Sequence, residues 1–575
     1  MHMKKLPRLF ALAGALAGGV SFSLSLSGVQ AATVSDLVPN DLSISLAGAY
    51  LAGRSADQAH DIGAAVTYFS DALDNDFDNP TLIERVLVLR IANGEIDTAQ
   101  ALAERLLAVD ERNPLARLVI TVRLIKDNSL EKAKVELLRS AQSPLATLTA
   151  GLITAWADYG LGHVDQALTE IDGLTGPSWY AIFKDYHHAV IADVAGRNAD
   201  AVAAITRAYR TDRTALRVVE AYARILARSG KRNEAMKALT DFGGDHPTHP
   251  VVKALLADLQ QGKTPDTVVK TASEGAAEVL YGLGSAVGTD EGTELPAAYL
   301  QSAHYLDPDA FLPLLALADV FQAANRCEEA LTLYGRVPES SGLRRNADIQ
   351  SGLCLDALGR TDDAVTHVKR VTDADPTDLE AVMALGAIYR VHDRFAEAAA
   401  VYTAGINTIT DRAKADWRIF YFRGVALERS KRWPEAEADF QQALAIDPQQ
   451  AQVLNYLGYS WVDKGIHLDD ALKMIQSAVS LRPNDGYIVD SLGWAYFHLG
   501  RIDDAVTQLE RAVELKPEDS VVNDHLGDAL WKAGRKLEAT FQWKHARDLG
   551  PDPEELPKIV KKLESGMPAD GGTNG

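Results

Sequence analysis

One arrangement of residues recurs along this chain of 575 residues at intervals of about 34 positions. The most complete copies contain a Leu-Gly pair, a glycine turn, then a small, a large and a second small residue, and a proline. The most regular copy has these features at Leu492, Gly493, Tyr496, Gly500, Ala505, Leu509, Ala512 and Pro517. The copy after it has them at Leu526, Gly527, Leu530, Gly534, Ala539, Trp543, Ala546 and Pro551. A chain made of one repeated unit folds as a stack in which each unit packs on its neighbours.

The spacing within one copy predicts two antiparallel helices. Gly493 in the first helix and Ala505 in the second are small, which lets the two helices approach closely. Pro517 ends the second helix because proline lacks the N–H that the helix needs. Asp485 and Asp519 stand just before a first helix, where a carboxylate can cap free N–H groups. The pattern is incompatible with strands in this region, so we expect an all-α fold.

The same pattern extends in weaker form toward the N-terminus and gives about fourteen helix-turn-helix units. It is interrupted where Gly262, Pro265 and several threonines break the period. We therefore expect an α-solenoid superhelix with a degenerate N-terminal array at residues 32–259, a linker at 260–274 and a more regular C-terminal array at 275–551. Residues 552–575 are rich in glycine and proline and are expected to form a flexible tail.

Residues 1–31 have the composition of a signal peptide for export. Lys4, Lys5 and Arg8 precede an apolar run without acidic residues, and the segment ends in the small residues Val29 and Ala31 around Gln30. We expect cleavage after this segment and delivery to the periplasm. No cysteine follows the apolar run, so the sequence does not predict a lipoprotein. No later stretch is apolar enough to predict an integral membrane segment.

Charge and motifs narrow the class of function. The formal net charge of the chain is −21 at pH 7, and a protein this acidic repels phosphate backbones, so nucleic acid is not an expected partner. The sequence has no Gly-x-Ser-x-Gly elbow, no His-Glu-x-x-His motif and no clustered cysteines. We therefore expect a protein that binds other proteins and has no enzymatic activity, no cofactor and no metal site.

The first helices of such a stack line a concave groove, so their outward positions are candidate binding residues. In the last repeats these positions hold mostly aromatic side chains, namely Tyr421, Phe422, Tyr456, Tyr459, Tyr487, Trp494, Phe497, His498, His525 and Trp531. We expect them to be exposed and to bind an extended or helical peptide. Asp490, Asp524 and Asp528 lie among them and should select against acidic ligands.

The chain contains two cysteines, both in the middle of the repeats. Cys327 begins the second helix of one unit, and Cys354 lies late in the first helix of the next, so these helix ends should meet. In an oxidising periplasm the two residues are a candidate disulfide. The alternative is a pair of buried thiols on different faces.

The repeat resembles the tetratricopeptide repeat (TPR), and three segments resemble a narrower group. These segments are Tyr456 to Tyr459, Asp490 to Trp494, and His525 to Trp531. They resemble envelope TPR proteins of Gram-negative bacteria, including the outer-membrane lipoprotein adaptors of carboxyl-terminal processing proteases. The segment Ala49 to Arg54, followed by paired hairpins, looks like periplasmic members of the group from alphaproteobacteria. The chain differs from the adaptors because it lacks a lipid-attachment cysteine.

The resemblance implies a solenoid that binds a processing protease and presents substrates such as peptidoglycan hydrolases. Our leading hypothesis is therefore a periplasmic scaffold or adaptor that supports cell-envelope integrity, with a processing protease and cell-wall hydrolases as its expected partners. The alternative hypothesis is a scaffold subunit of an exopolysaccharide or outer-membrane export machine. An enzyme is a third possibility, and no motif in the sequence supports it.

Overall fold

The computed structural model describes residues 45–567, apart from residue 60 and the segments 140–142, 246–248 and 288–292. The predicted signal peptide, residues 1–31, lies outside these residues. The described chain forms 30 α-helices and no strand, as the repeat pattern predicts. It divides into two compact units, and the second unit begins at Leu385.

The first unit contains the helices that precede this boundary. They are α1 (Leu46–Gln58), α2 (Ile62–Asn75), α3 (Pro80–Ala92), α4 (Ile96–Val109), α5 (Pro114–Lys126), α6 (Leu130–Leu138), α7 (Pro144–Gly160), α8 (Val164–Gly173), α9 (Tyr180–Val194), α10 (Asn198–Thr211), α11 (Leu216–Arg228), α12 (Arg232–Asp245), α13 (Pro250–Gln260), α14 (Ala272–Ala286), α15 (Glu294–Leu306), α16 (Leu312–Ala323), α17 (Cys327–Tyr334), α18 (Arg344–Ala357) and α19 (Thr361–Ala374). Helix α20 (Leu379–Val391) crosses the boundary between the two units.

The second unit contains the helices of the most regular repeats. They are α21 (Phe395–Ile406), α22 (Trp417–Arg429), α23 (Trp433–Ile446), α24 (Ala451–Lys464), α25 (Leu468–Leu481), α26 (Gly486–His498), α27 (Ile502–Leu515), α28 (Ser520–Lys532), α29 (Lys536–Asp548) and α30 (Leu556–Ser565). A single 3₁₀ turn, Arg412–Lys414, precedes α22. Among the described residues, consecutive helices form fourteen hairpins, and only α13 and α30 have no partner in this scheme. The number of hairpins agrees with the number of repeats predicted from the sequence.

The glycine of each Leu-Gly pair lies where the two helices of a hairpin come closest. A Cβ added to Gly493 would lie 2.5 Å from Cγ of Leu509, and one added to Gly527 would lie 2.4 Å from Cδ1 of Trp543. At Gly493 the nearest side chain is Leu509, one turn after Ala505. In the preceding repeat the Ala471 carbonyl oxygen lies 3.0 Å from a Cβ added to Gly458, so the small residues of the two helices face each other as predicted. No side chain fits between the helices at this position, so the first helix needs a glycine there.

The ends of these helices follow the predicted chemistry. The carboxylates of Asp485 and Asp519 accept hydrogen bonds from N–H groups in the first turns of α26 and α28. Gly500 lies in the turn between α26 and α27 with a φ of 74°, a conformation that glycine adopts without steric strain. These local signals explain why the helices start and end where the repeat pattern places them.

Two segments differ from the expectations for the linker and the tail. Residues 261–271 carry no helix, but they lie inside the first unit, because α14 and α15 return to pack on α7 and α3. Residues 552–575 include α30, whose Ile559 is only 1% exposed. The prediction of a flexible tail is therefore wrong for residues 556–565.

The two cysteines are neighbours in one apolar cluster. Cys327 begins α17 and Cys354 lies in α18, and both are buried free thiols. Burial, followed by a hydrogen bond with Cys327, raises the pKa of the Cys354 thiol far above its ordinary value. A thiol that stays protonated is a weak nucleophile. The helix ends meet as predicted, and the structure holds two thiols there in place of the candidate disulfide.

Candidate protein-binding groove

The ten predicted groove residues differ in how far the structure buries them. Four are buried and at most 8% exposed, namely Tyr456, Tyr459, Trp494 and His525. Five are half-buried, namely Tyr421, Phe422, Tyr487, Phe497 and Trp531. His498 is exposed. The expectation that groove residues are exposed is therefore wrong for four of the ten.

Trp494 is buried because it packs between the first helices of neighbouring repeats. Its indole stacks on the imidazole of His525 in α28, with ring centroids 3.9 Å apart, and on the ring of Phe497 at 4.9 Å. Nδ1 of His525 lies 2.9 Å from a carboxylate oxygen of Asp490. The stack therefore joins α26 to α28 and contributes to the packing between the last two repeats.

A second aromatic cluster joins α22, α23 and α24. The ring of Tyr456 lies 5.0 Å from that of Phe440 and 5.9 Å from that of Tyr421, measured between centroids. The Tyr456 hydroxyl donates a hydrogen bond of 3.2 Å to Glu428. Burial and the nearby Glu428 carboxylate raise the pKa of Tyr456 well above its ordinary value. The tyrosines therefore fill the space between first helices and leave little of their surface to a ligand.

Phe422, Phe497 and His498 keep accessible surface at groove positions. The guanidinium carbon of Arg390 lies 4.7 Å from the centroid of the Phe422 ring, so this edge of the groove is aromatic and basic. Phe497 is half-buried, and its ring stacks on Trp494. Aromatic side chains in this setting can anchor apolar or cationic side chains of a bound peptide.

Helix α30 packs on α29 and meets the groove side of α28. The Lys562 ammonium donates hydrogen bonds of 2.8 Å to both carboxylate oxygens of Asp524 and of 2.7 Å to Asp528. Burial alone lowers the pKa of Lys562, but Asp528 and Asp524 outweigh it, and the pKa is raised. Ile559 borders a small cavity together with His525. Sequence analysis assigned the two aspartates to selection against acidic ligands, and the structure shows the chain's own lysine there.

The C-terminal end of α30 rests on another predicted groove residue. Gly566 ends the helix with a φ of 68°, and a Cβ added to it would lie 2.1 Å from the indole of Trp531. The indole also lies against Trp543, with ring centroids 5.2 Å apart. Trp531 is therefore enclosed by the core of its own hairpin and by the end of α30.

The chain's own α14 and α15 occupy the corresponding surface of the first unit. Helix α14 packs on α7, and α15 packs on α3 and α5. Gly275 in α14 lies against the indole of Trp156. The side-chain amide of Gln301 in α15 donates a hydrogen bond of 3.0 Å to the carbonyl of Ala92 at the end of α3. The first helices α3, α5 and α7 therefore have no free groove along the length that α14 and α15 cover.

A buried ion-pair network fixes α14 to α9 and α11. The Arg217 guanidinium donates to both oxygens of Glu278 at 2.8 and 2.6 Å and to Glu220 at 2.6 Å. The Tyr186 hydroxyl donates a hydrogen bond of 2.8 Å to the same Glu278 carboxylate. Burial alone raises the pKa of Glu278, but Arg217 and Tyr186 outweigh it and the pKa is lowered. Glu278 is therefore an ionised side chain that depends on partners from other helices.

His187 makes the stability of the first unit depend on pH. Trp156 Nε1 donates a hydrogen bond of 3.2 Å to Nδ1 of this buried imidazole. Burial lowers the pKa of His187 from 6.5 to about 4. As the pH falls below 6.5, His187 takes up a proton in the unfolded chain but not in the folded one. The free energy of unfolding therefore decreases progressively between pH 6.5 and about pH 4. The expected loss is about 3 kcal/mol.

We expect denaturant unfolding of the first unit, followed by hydrogen exchange between pH 7 and pH 4, to show this loss. His187→Gln keeps an acceptor for the Trp156 indole and does not titrate, so its curve should be flatter over the same range. An unchanged slope in His187→Gln would show that other groups cause the pH dependence.

Two kinds of site were not found in the part of the chain that the structure describes. No group of three or more His, Cys, Asp or Glu side chains there is arranged to hold a metal ion. No helix among the described residues has both the length and the hydropathy needed to cross a bilayer.

Family models described as tetratricopeptide repeat match residues 350–409, 417–450, 467–520 and 491–543. These segments are similar to tetratricopeptide repeats. They lie within the helices α18 to α29, and the match at 417–450 covers the α22–α23 hairpin. The TPR prediction is therefore confirmed for the region in which the sequence pattern is clearest.

A TPR repeat-containing protein from Pseudomonas aeruginosa is 31% identical to this chain over 87 residues. The matched region covers 15% of this chain and 15% of that protein. The chain therefore shares only a small part of the length of this relative.

Several solved structures are similar in part. A tetratricopeptide repeat protein from Parabacteroides merdae is 14% identical, with 44% of this chain and 98% of that chain covered and a TM-score of 0.38. A chain of the APC/C hetero-tetramer Cut9–Hcn1 is 13% identical, with 90% and 95% covered and a TM-score of 0.38. MamA from Desulfovibrio magneticus is 19% identical, with 30% and 95% covered and a TM-score of 0.27.

Proposed function

We propose that this protein is a periplasmic scaffold or adaptor that binds other proteins and supports the integrity of the cell envelope. Its TPR hairpins form a surface for protein binding, which is the general use of such repeats. The observation that carries the proposal is the accessible aromatic surface of Phe422, Phe497 and His498 at groove positions of the second unit. The export signal expected at residues 1–31 supports the periplasmic location.

The proposed partners are a carboxyl-terminal processing protease and its cell-wall hydrolase substrates. The proposal rests on the resemblance of the segments around Tyr456, Asp490 and His525 to the protease adaptors. The structure adds a reason to favour the second unit as the binding surface, because α14 and α15 cover the first helices α3, α5 and α7 of the first unit. A scaffold in an export machine would use the same surface with different partners.

Phe422→Ala with His498→Ala should reduce partner capture about tenfold, because aromatic anchors supply much of the binding energy of such surfaces. Both side chains keep accessible surface, so the double variant should retain the helical content and melting temperature of the wild type. The measurement is affinity capture from crosslinked periplasm, followed by mass spectrometry.

The matched control places alanine at two exposed leucines on second helices, Leu481 and Leu537. This control should capture the same proteins as the wild type. Loss of a processing protease or wall hydrolase only in the groove variant would support the adaptor function. Recovery of export components instead would favour the export scaffold, and equal capture by all three proteins would place the binding surface elsewhere.

A further inference from the structure

Helix α30 is held on the second unit by few contacts. It has ten residues, and Ile559 is its one buried side chain by residue exposure. Lys562 supplies the hydrogen bonds to α28, whereas Lys558 points to solvent and pairs with Glu555, the residue just before the helix. Isolated helices of this length are marginal in water, so α30 depends on these contacts to stay folded.

The site that receives Lys562 requires a cation. Asp524 and Asp528 lie one turn apart on α28 and are 6% and 3% exposed. With α30 in place the two carboxylates are poorly hydrated and repel each other, so the ammonium group between them stabilises both. The indole N–H of Trp543 donates 2.9 Å to Asp528, which fixes this carboxylate from the core of the hairpin. Asp528 is therefore held both from the core of its hairpin and from α30, whereas Asp524 receives its two hydrogen bonds from Lys562.

The position of the acidic pair connects it to partner binding. Asp524 and Asp528 occupy groove positions on α28, next to the stack of His525 and Trp494. Any ligand helix that enters the groove at this end must displace α30 or lie beside it. A ligand that displaces α30 leaves the two carboxylates without their lysine unless it brings a cation of its own.

We propose that Asp524 and Asp528 form a receptor for a basic side chain carried on a helix, that α30 is its resident occupant, and that a protein partner binds by replacing α30 with an amphipathic helix bearing Lys or Arg. The inference rests on the proposed function in that the partner is a protein. The register of α30 defines the ligand, with an aliphatic residue at the position of Ile559 and a basic residue three positions later. The acidic pair thus selects for basic partners.

The test uses the full chain and a synthetic peptide. Ile559→Asp with Lys562→Glu places negative charge against the acidic pair and should detach α30 while the hairpins remain folded. The probe is a fluorescein-labelled peptide of residues 552–567, followed by fluorescence anisotropy. It should bind this opened variant at least tenfold more tightly than the wild type, because the tethered α30 competes at a high effective concentration.

Single changes in the peptide and the receptor test the chemistry of the site. A Lys562→Ala peptide should lose at least tenfold in affinity for the opened variant, whereas Lys562→Arg and the exposed-position control Lys558→Ala should stay within about threefold. Adding Asp524→Asn to the opened variant should weaken the native peptide about tenfold. Failure of the native peptide to bind, equal binding to wild type and opened variant, or full retention by the Lys562→Ala peptide would each overturn the proposal.

A second measurement needs no substitution in the protein. Excess Lys562→Arg peptide added to the wild type should increase hydrogen exchange at residues 556–565 and leave α29 unchanged. No change in exchange at saturating peptide would overturn the displacement. Both measurements are independent of the periplasmic capture, so failure to find a partner there would reject the proposed function and leave the result for the acidic site intact.

Discussion

Glu278→Ala should lower the free energy of unfolding of the first unit by about 3 to 5 kcal/mol. The variant removes the carboxylate that Arg217 contacts with two hydrogen bonds and that Tyr186 contacts with one. Arg217 would remain with Glu220 but without its main counter-charge in a buried setting. The measurement is denaturant unfolding with hydrogen exchange, and α14 should exchange before the α9–α10 hairpin.

Two further variants separate the ion pair from general damage. Arg217→Met with Glu278→Leu removes both charges, and Glu220 keeps its bond of 2.9 Å from Arg224, so the double variant should be more stable than Glu278→Ala. Glu234→Ala changes an exposed glutamate on α12 and should alter stability by less than about 0.5 kcal/mol. Equal losses in Glu278→Ala and Glu234→Ala would show that the network contributes no specific stability.

Trp494→Ala should lower the free energy of unfolding of the second unit by about 3 to 5 kcal/mol, the usual range for truncating a buried aromatic side chain. The indole is 5% exposed and stacks on His525 and Phe497. Its removal opens a cavity between α26 and α28 and frees His525 from the stack. Hydrogen exchange should rise at these two helices first.

An exposed aromatic residue provides the control for Trp494→Ala. Phe541→Ala changes a residue on α29 that is 60% exposed and should cost less than about 1 kcal/mol. A stable Trp494→Ala protein that had lost its partners would show instead that Trp494 acts mainly as a ligand contact. Sequence analysis places Trp494 in the groove, and the structure makes it part of the packing between repeats.

The two units carry the same hairpin surface in different states. In the first unit, α14 and α15 pack on α3, α5 and α7, and the network around Glu278 ties α14 to α9 and α11. In the second unit, α30 packs on α29, buries Ile559 and meets α28 through Lys562. A partner would have to unfold a buried network to enter the first surface, but only displace a short helix to enter the second. Partner binding is therefore expected in the second unit.

The sequence by itself determines the hairpins, because their signals are local. Gly493 lets the two helices of its repeat approach closely, and Leu509 packs over it. Gly500 forms the turn between these helices, and Asp485 caps the N-terminus of the first helix. These residues act on neighbours within about 34 positions, so a periodic pattern reveals them. The all-α class, the helix ends and the number of hairpins follow from it.

Only the tertiary structure decides which parts of the surface are covered. Glu278 contacts Arg217, which is 61 positions away in the sequence, and Lys562 contacts Asp524, which is 38 positions away. No sequence motif predicts either contact. The burial of Trp494 likewise depends on the distance between α26 and α28, which the helical period does not fix. Local interactions determine the repeated unit, whereas long-range contacts determine where that unit remains free to bind.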